Sequence, residues 1–173
     1  MNKSCRILVS LRCNYTCGYC CNKIPGILDQ FKVTTLKDLD LTPYDDVCIS
    51  GGEPFLKENI ETVREIATLA HSLNKKVYIY TNLSVPLRWS DITLFDGWNV
   101  SYHSSQAGAF GFRKRVLELL EHSAQNVRVQ IEDTEVENFK RFFGNHGLPD
   151  SIIKPWTRNQ CNKQHIEDWF ILG

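Results

Sequence analysis

The sequence has no surplus of charge of either sign, no long apolar run, no low-complexity tract and no internal repeat. Twenty basic side chains balance twenty acidic ones, so the overall charge points neither to nucleic acid nor to an anionic membrane surface. No stretch approaches the roughly 18 consecutive apolar residues of a membrane-spanning helix. The opening "MNKSCRILVS" carries a basic residue but too short an apolar segment for a secretory signal, so a cytoplasmic location is expected. No flexible linker interrupts the 173 residues, which are read as a single domain, 1–173. Hydrophobic residues at 42% and charged residues at 23% are ordinary for a globular protein, which excludes a disordered chain.

What is abundant is cysteine. Four of the seven fall in "RCNYTCGYCCNK", Arg12 to Lys23. An odd number cannot be fully paired within one chain, and in a reducing compartment clustered thiols serve as metal ligands or catalytic groups more often than as disulfides. Cys13, Cys17 and Cys20 form C-x3-C-x2-C. Cys21 directly follows and is read as a packed thiol, while Cys5 and Cys48 lie in apolar runs and are read as core residues. Cys161 stands in a polar stretch, "TRNQCNKQH", with Lys154, Arg158 and Lys163 nearby, and is read as part of a solvated tail.

Short β-branched runs alternate with helical stretches along the chain. "RILVSL" (Arg6 to Leu11), "DVCIS" (Asp46 to Ser50) and "KVYIYT" (Lys76 to Thr81) read as strands. "WNVSY" (Trp98 to Tyr102), "VRVQI" (Val127 to Ile131) and "SIIKPW" (Ser151 to Trp156) are three more. Helical spacing runs from Glu58 to Leu73, from Arg113 to His122, and from Glu135 to Phe143, the last carrying Val136, Phe139, Phe142 and Phe143. Such alternation predicts an α/β domain of parallel strands. A complete eight-unit barrel takes about 250 residues, so the expected architecture is a partial, six-unit TIM-like barrel, open on one side.

The cysteine triplet follows the first strand, and in α/β folds ligand-binding residues sit on the loops at the carboxyl ends of strands. Three thiolates on one loop suit zinc or an iron–sulfur cluster. A zinc site is assembled on paper from Cys17, Cys20, Cys161 and His165, leaving Cys13 unused. Three cysteines with no evident fourth instead suit a cubane with one iron open to a ligand. "SGGEPFL" follows the second strand. Its paired glycines, Gly51 and Gly52, would let backbone approach a ligand closely, Glu53 offers a carboxylate to a cation, and Pro54 stiffens the turn.

C-x3-C-x2-C after strand one, with Tyr19 before the last cysteine, and "GGEP" after strand two together resemble the radical S-adenosylmethionine (SAM) enzymes. The resemblance implies that Cys13, Cys17 and Cys20 hold a [4Fe–4S] cluster. It implies that Gly51, Gly52, Glu53 and Pro54 form the loop that receives the methionine amino group of SAM, and that Tyr19 packs near the adenine. "YTNLS" looks like a further segment of the family, with Leu83 in place of the usual glycine; Thr81 and Asn82 would bond cofactor or substrate, or close a turn. Ser101 or His103, from "VSYHSS" with Ser104 and Ser105, would meet the ribose or carboxylate of SAM, or lie in a surface turn. Gln130 and Glu132 are open in the same way.

The implied reaction is reductive cleavage of SAM by an electron from a flavodoxin- or ferredoxin-type donor, followed by hydrogen abstraction from a substrate. A short barrel without an added domain leaves its open side uncovered, which suggests a peptide or protein substrate, as in the short glycyl-radical-enzyme activases. The alternative is a small molecule such as a nucleotide or deazapurine, in line with a local likeness to the viperins. The non-enzymatic alternative is the zinc-stabilised binding module.

Overall fold

A computed structural model describes residues 2–18, 20–103, 109–122, 126–143, 148–157 and 167–173. Eight strands form one parallel sheet: β1 (Ser4–Leu8), β2 (Lys32–Thr34), β3 (Asp46–Ser50), β4 (Lys76–Thr81), β5 (Gly97–Ser101), β6 (Val127–Glu132), β7 (Ile153–Trp156) and β8 (Glu167–Leu172). Their order is β2-β8-β1-β3-β4-β5-β6-β7, and the sheet does not close on itself. Among the described residues, four α-helices accompany it: α1 (Ile60–Ser72), α2 (Trp89–Ile92), α3 (Ala109–His122) and α4 (Val136–Phe143). The chain is an open, barrel-like α/β fold.

The strands follow the strict two-residue alternation of a pleat. Cys5, Ile7, Val47, Ile49, Val77, Ile79, Trp98, Val100, Val129 and Ile131 are all buried and point to one face. They share a single core with Val63, Ile66 and Ala67 of α1, Val116 and Leu119 of α3, and Phe139 and Phe143 of α4. Each large side chain buried there contributes about 1.5–3 kcal/mol. The helices therefore cover one face of the sheet.

α1 ends where Asn74 takes a left-handed conformation at φ 56°, the usual way of terminating a helix without glycine. α4 is held by aromatic contacts. Phe139 and Phe143, one turn apart, lie 4.5 Å from each other and 4.9 and 5.8 Å from the ring of Tyr102. Phe142, grouped with them on spacing, is 54% exposed instead, because adjacent residues on a helix point about 100° apart.

Two strands go beyond the six expected. β2 is three residues long and carries the exposed Val33, so it lacks a burial pattern to read. β8 follows the polar stretch assigned to a tail, yet it inserts between β1 and β2, pairing Arg6 with Trp169 and Val33 with Ile171. α2, a single turn, was also not visible in the periodicity.

Candidate functional site

The loop after β1 crosses the carboxyl ends of β3, β4 and β5. Gly52 N donates to Ser10 O at 2.8 Å, and Glu53 N donates to Arg12 O at 2.8 Å, so the loops after β1 and β3 are stitched backbone to backbone. The two glycines make this possible. A Cβ on Gly52 would stand 1.7 Å from the Arg12 carbonyl oxygen, and one on Gly51, where φ is +145°, would stand 2.7 Å from that of Ser10. The Cβ side of both glycines is therefore filled by the backbone of the cysteine loop.

Glu53 sits beneath that junction, 0% exposed. Its Oε1 accepts from Thr81 Oγ1 at 2.7 Å and from Phe55 N at 3.1 Å, and its Oε2 accepts from Asn82 N at 2.8 Å. Burial pushes its carboxyl above the usual range, while the three hydrogen bonds pull the other way. A carboxylate has about four acceptor sites, so one remains open on Oε2. Pro54 is buried next to it. Thr81 Oγ1 and the Asn82 backbone N–H thereby support Glu53. Thr81 also accepts from Leu83 N at 2.9 Å. The Asn82 amide donates to Asn14 Oδ1 at 3.0 Å and reaches the Cys13 sulfur at 3.8 Å. Asn14 in turn donates to Ser84 Oγ at 2.8 Å.

Leu83 adopts a left-handed backbone, with φ 54° and a fully buried side chain. The conformation costs about 1 kcal/mol for a residue with a Cβ. It is held by the Thr81 bond and by Arg115, whose Nε donates to the Leu83 carbonyl.

Cys13, Cys17 and Cys20 all lie on the loop that follows β1. Cys13 is exposed; Cys17 and Cys20 are half-buried. Burial raises the Cys13 thiol first, with the nearby charges of Glu53 and Cys20 adding to it; burial raises Cys17 likewise, with Cys20 and Cys13 adding. A metal that binds thiolate overcomes both effects by supplying positive charge. Tyr15 N donates to the Cys13 sulfur at 3.4 Å. His103, 9% exposed, lies with its ring nitrogens 3.6 and 3.9 Å from the Cys17 sulfur and its ring 5.5 Å from that of Tyr15. Burial lowers its affinity for a proton. Ser101 is half-buried at the end of β5, on the opposite face of the sheet from the core, as are Gln130 and Glu132 on β6.

Among the described residues, no three His, Cys, Asp or Glu side chains converge closely enough to hold one metal ion. A zinc ion draws its sulfurs to about 2.3 Å from a single centre. A cubane instead takes one thiolate on each of three irons, and so asks for thiols that are neighbours without converging. Cys13, Cys17 and Cys20 are free and are carried on the one loop after β1.

Cys21 departs from the expectation of thiols only: it is disulfide-bonded, whereas Cys5, Cys13, Cys17, Cys20 and Cys48 are free. It opens a tight turn, Cys21–Lys23. Tyr19, Ser104, Ser105, Arg158, Cys161, Lys163 and His165 lie outside the described residues. Sequence reading missed Asn14 and Tyr15, which pin the loop through polar contacts that no spacing rule reveals. Comparison with protein-family models and with curated protein sequences returns no match. No described helix is long and apolar enough to cross a membrane.

Proposed function

We propose that this chain is a radical SAM enzyme. The observation that carries the reading is the buried Glu53 carboxylate, fixed under the loop that presents Cys13, Cys17 and Cys20 as three neighbouring free thiols. Cys13, Cys17 and Cys20 would hold a [4Fe–4S] cluster. When bound, the reduced cluster and SAM supply cleavage of the sulfonium bond and a 5′-deoxyadenosyl radical able to abstract hydrogen from a substrate.

The protein's part is positioning. Glu53 brings a negative charge of fixed direction to the carboxyl end of β3, with one acceptor site left for a cation such as an ammonium group. Because Thr81, Asn82 and Phe55 already hold it, no reorganisation accompanies binding. Asn82 and Asn14 tie the loop after β4 to the cysteine loop, so the carboxylate and the thiols move as one body. His103 closes the side of Cys17 against water. Electrons would come from a flavodoxin- or ferredoxin-type donor.

A peptide or protein substrate was expected because one side of the sheet would stay uncovered. That face carries none of the helix-packed core: Leu8, Asn99 and Cys48 on it are buried, Arg6, Tyr78 and Tyr80 are half-buried and Arg128 is exposed. A peptide or protein substrate therefore stays the first reading, with a small molecule as the alternative.

The test is composition and SAM binding. Anaerobically reconstituted protein should hold about four irons and four sulfides per chain, lost when Cys13, Cys17 and Cys20 are all changed to alanine. Glu53→Gln should keep the iron and weaken SAM binding by at least about tenfold, the usual cost of removing one charged partner. One zinc and no iron would favour the binding module and end this reading.

A further inference from the structure

His103 stands where two separately anchored parts of the chain meet. It lies two residues beyond β5, and the residue before it is fixed twice. Tyr102 N donates to Gln130 O at 2.9 Å, and the Tyr102 ring lies 5.3 Å from that of Phe112, 4.9 Å from Phe139 and 5.8 Å from Phe143. Cys17 is held from the other side, where its carbonyl accepts from Lys23 Nζ at 2.8 Å and from Cys20 N at 3.3 Å. Between these anchors the Cys17 sulfur lies 3.6 Å from His103 Nδ1 and 3.9 Å from Nε2. A neutral imidazole carries one ring N–H and an imidazolium carries two. Because both nitrogens reach the sulfur, an N–H stands beside Cys17 in every form of the ring.

We infer that His103 is a positioning residue for Cys17: its ring N–H donates to the sulfur, fixes the direction of that side chain and offsets negative charge on it. A ligating thiolate is an anion, and a donor aimed at an anion makes a bond about twice as strong as one between neutral groups. Outer partners of this kind orient a ligand and tune the centre it binds. For an iron–sulfur cluster the tuned property is the reduction potential, which hydrogen bonds to the sulfurs help to set. Reduction adds negative charge, so a donor at Cys17 favours the reduced form and raises the potential. His103 is 9% exposed, and a bond so sheltered keeps its electrostatic strength. Cys13 draws on other donors, Tyr15 N at 3.4 Å and Asn82 Nδ2 at 3.8 Å. The hydrogen bond stands without any cluster; only its effect on a potential rests on the radical SAM reading.

Two measurements test it. In cluster-free, ¹⁵N-labelled protein the His103 ring N–H signal is followed by NMR. Cys17→Ala should shift that signal or speed its exchange with water, while Cys20→Ala should leave it in place. In protein reconstituted with iron and sulfide, without SAM, a redox titration followed by electron paramagnetic resonance reads the potential. His103→Phe keeps an aromatic ring against Tyr15 and removes the donor. Its reduced-to-oxidised ratio at a fixed potential should fall about tenfold, a drop of about 59 mV for one electron. His103→Gln keeps an N–H and loses the ring, and should stay closer to the native potential than His103→Phe. A ring that only filled space would give the opposite order, with phenylalanine native-like and glutamine displaced, and would overturn the inference. So would a His103 N–H signal indifferent to Cys17→Ala. A chain that binds no iron would end the radical SAM reading while the NMR comparison still decides the hydrogen bond, so the two fail separately.

Discussion

Changing Gly52 to alanine strikes the contact on which the site's geometry depends. The added Cβ would stand 1.7 Å from the Arg12 carbonyl oxygen, 2.2 Å from its carbon and 2.8 Å from Cys13 N. All three are backbone atoms and cannot rotate away, so the cysteine loop must lift by more than an ångström. That movement breaks Gly52 N to Ser10 O and Glu53 N to Arg12 O. Two such bonds are worth about 1 kcal/mol each, and forced overpacking adds about 1–3 kcal/mol. The total of about 3–5 kcal/mol corresponds to a fall in Tm of roughly 10–15 °C for a chain of this size. Gly18 is the internal control, since nothing lies within 4 Å of a Cβ built there, and Gly18→Ala should melt within about 2 °C of the native protein. Thermal unfolding followed by circular dichroism reads both variants. Equal melting temperatures for the two would refute the stitched-loop geometry. If the loop lifts, iron uptake after reconstitution should fall in Gly52→Ala and not in Gly18→Ala.

Three further outcomes follow from particular residues. At Leu83, φ 54° favours glycine, so Leu83→Gly should be more stable than Leu83→Ala by about 1 kcal/mol in urea unfolding, reversing the order seen in ordinary strands and helices. Alanine equal to or better than glycine would contradict the left-handed assignment. Tyr44 donates to Asp168 Oδ2 at 2.9 Å, and that bond is the main reason the Asp168 carboxyl titrates below its usual value. A depressed acid stabilises the fold above its unfolded pKa of about 3.9 and loses that contribution as pH falls through the folded value. Tyr44→Phe should therefore cost about 1 kcal/mol near neutrality, allowing for screening of a carboxylate about one-third exposed, and the gap should shrink below about pH 3.9. A gap independent of pH would show that Tyr44 acts through packing alone. Asp91→Asn should cost about 2 kcal/mol, because Arg64 grips one Asp91 oxygen through Nε at 2.9 Å and Nη2 at 2.7 Å; urea unfolding unchanged from the native chain would refute it.

Strand spacing made most of the fold readable, because the helix-covered face demands an unbroken alternation. Val77, Ile79 and Thr81 against Lys76, Tyr78 and Tyr80 show it directly. The same rule fails for β2, whose three residues have no buried position, and for β8, where the polar segment before it disguised a strand inserted between two others. The cysteine triplet and Glu53 were legible because their chemistry is rare in sequence. Their supports were not. Thr81 and Asn82 were readable as ligand contacts or as a turn; their bonds to Glu53 arise because a buried carboxylate must collect donors from its own chain. The glycine pair was visible, but its close packing against Ser10 and Arg12 required the fold.

The central claim is chemical, and formation of 5′-deoxyadenosine tests it most directly. Anaerobic protein reconstituted with iron and sulfide, then reduced in the presence of SAM, should release methionine and 5′-deoxyadenosine. Release should cease when Cys13, Cys17 and Cys20 are all replaced by alanine. Iron-loaded protein that leaves SAM intact under reduction, or cleavage that persists in the triple variant, would contradict the account.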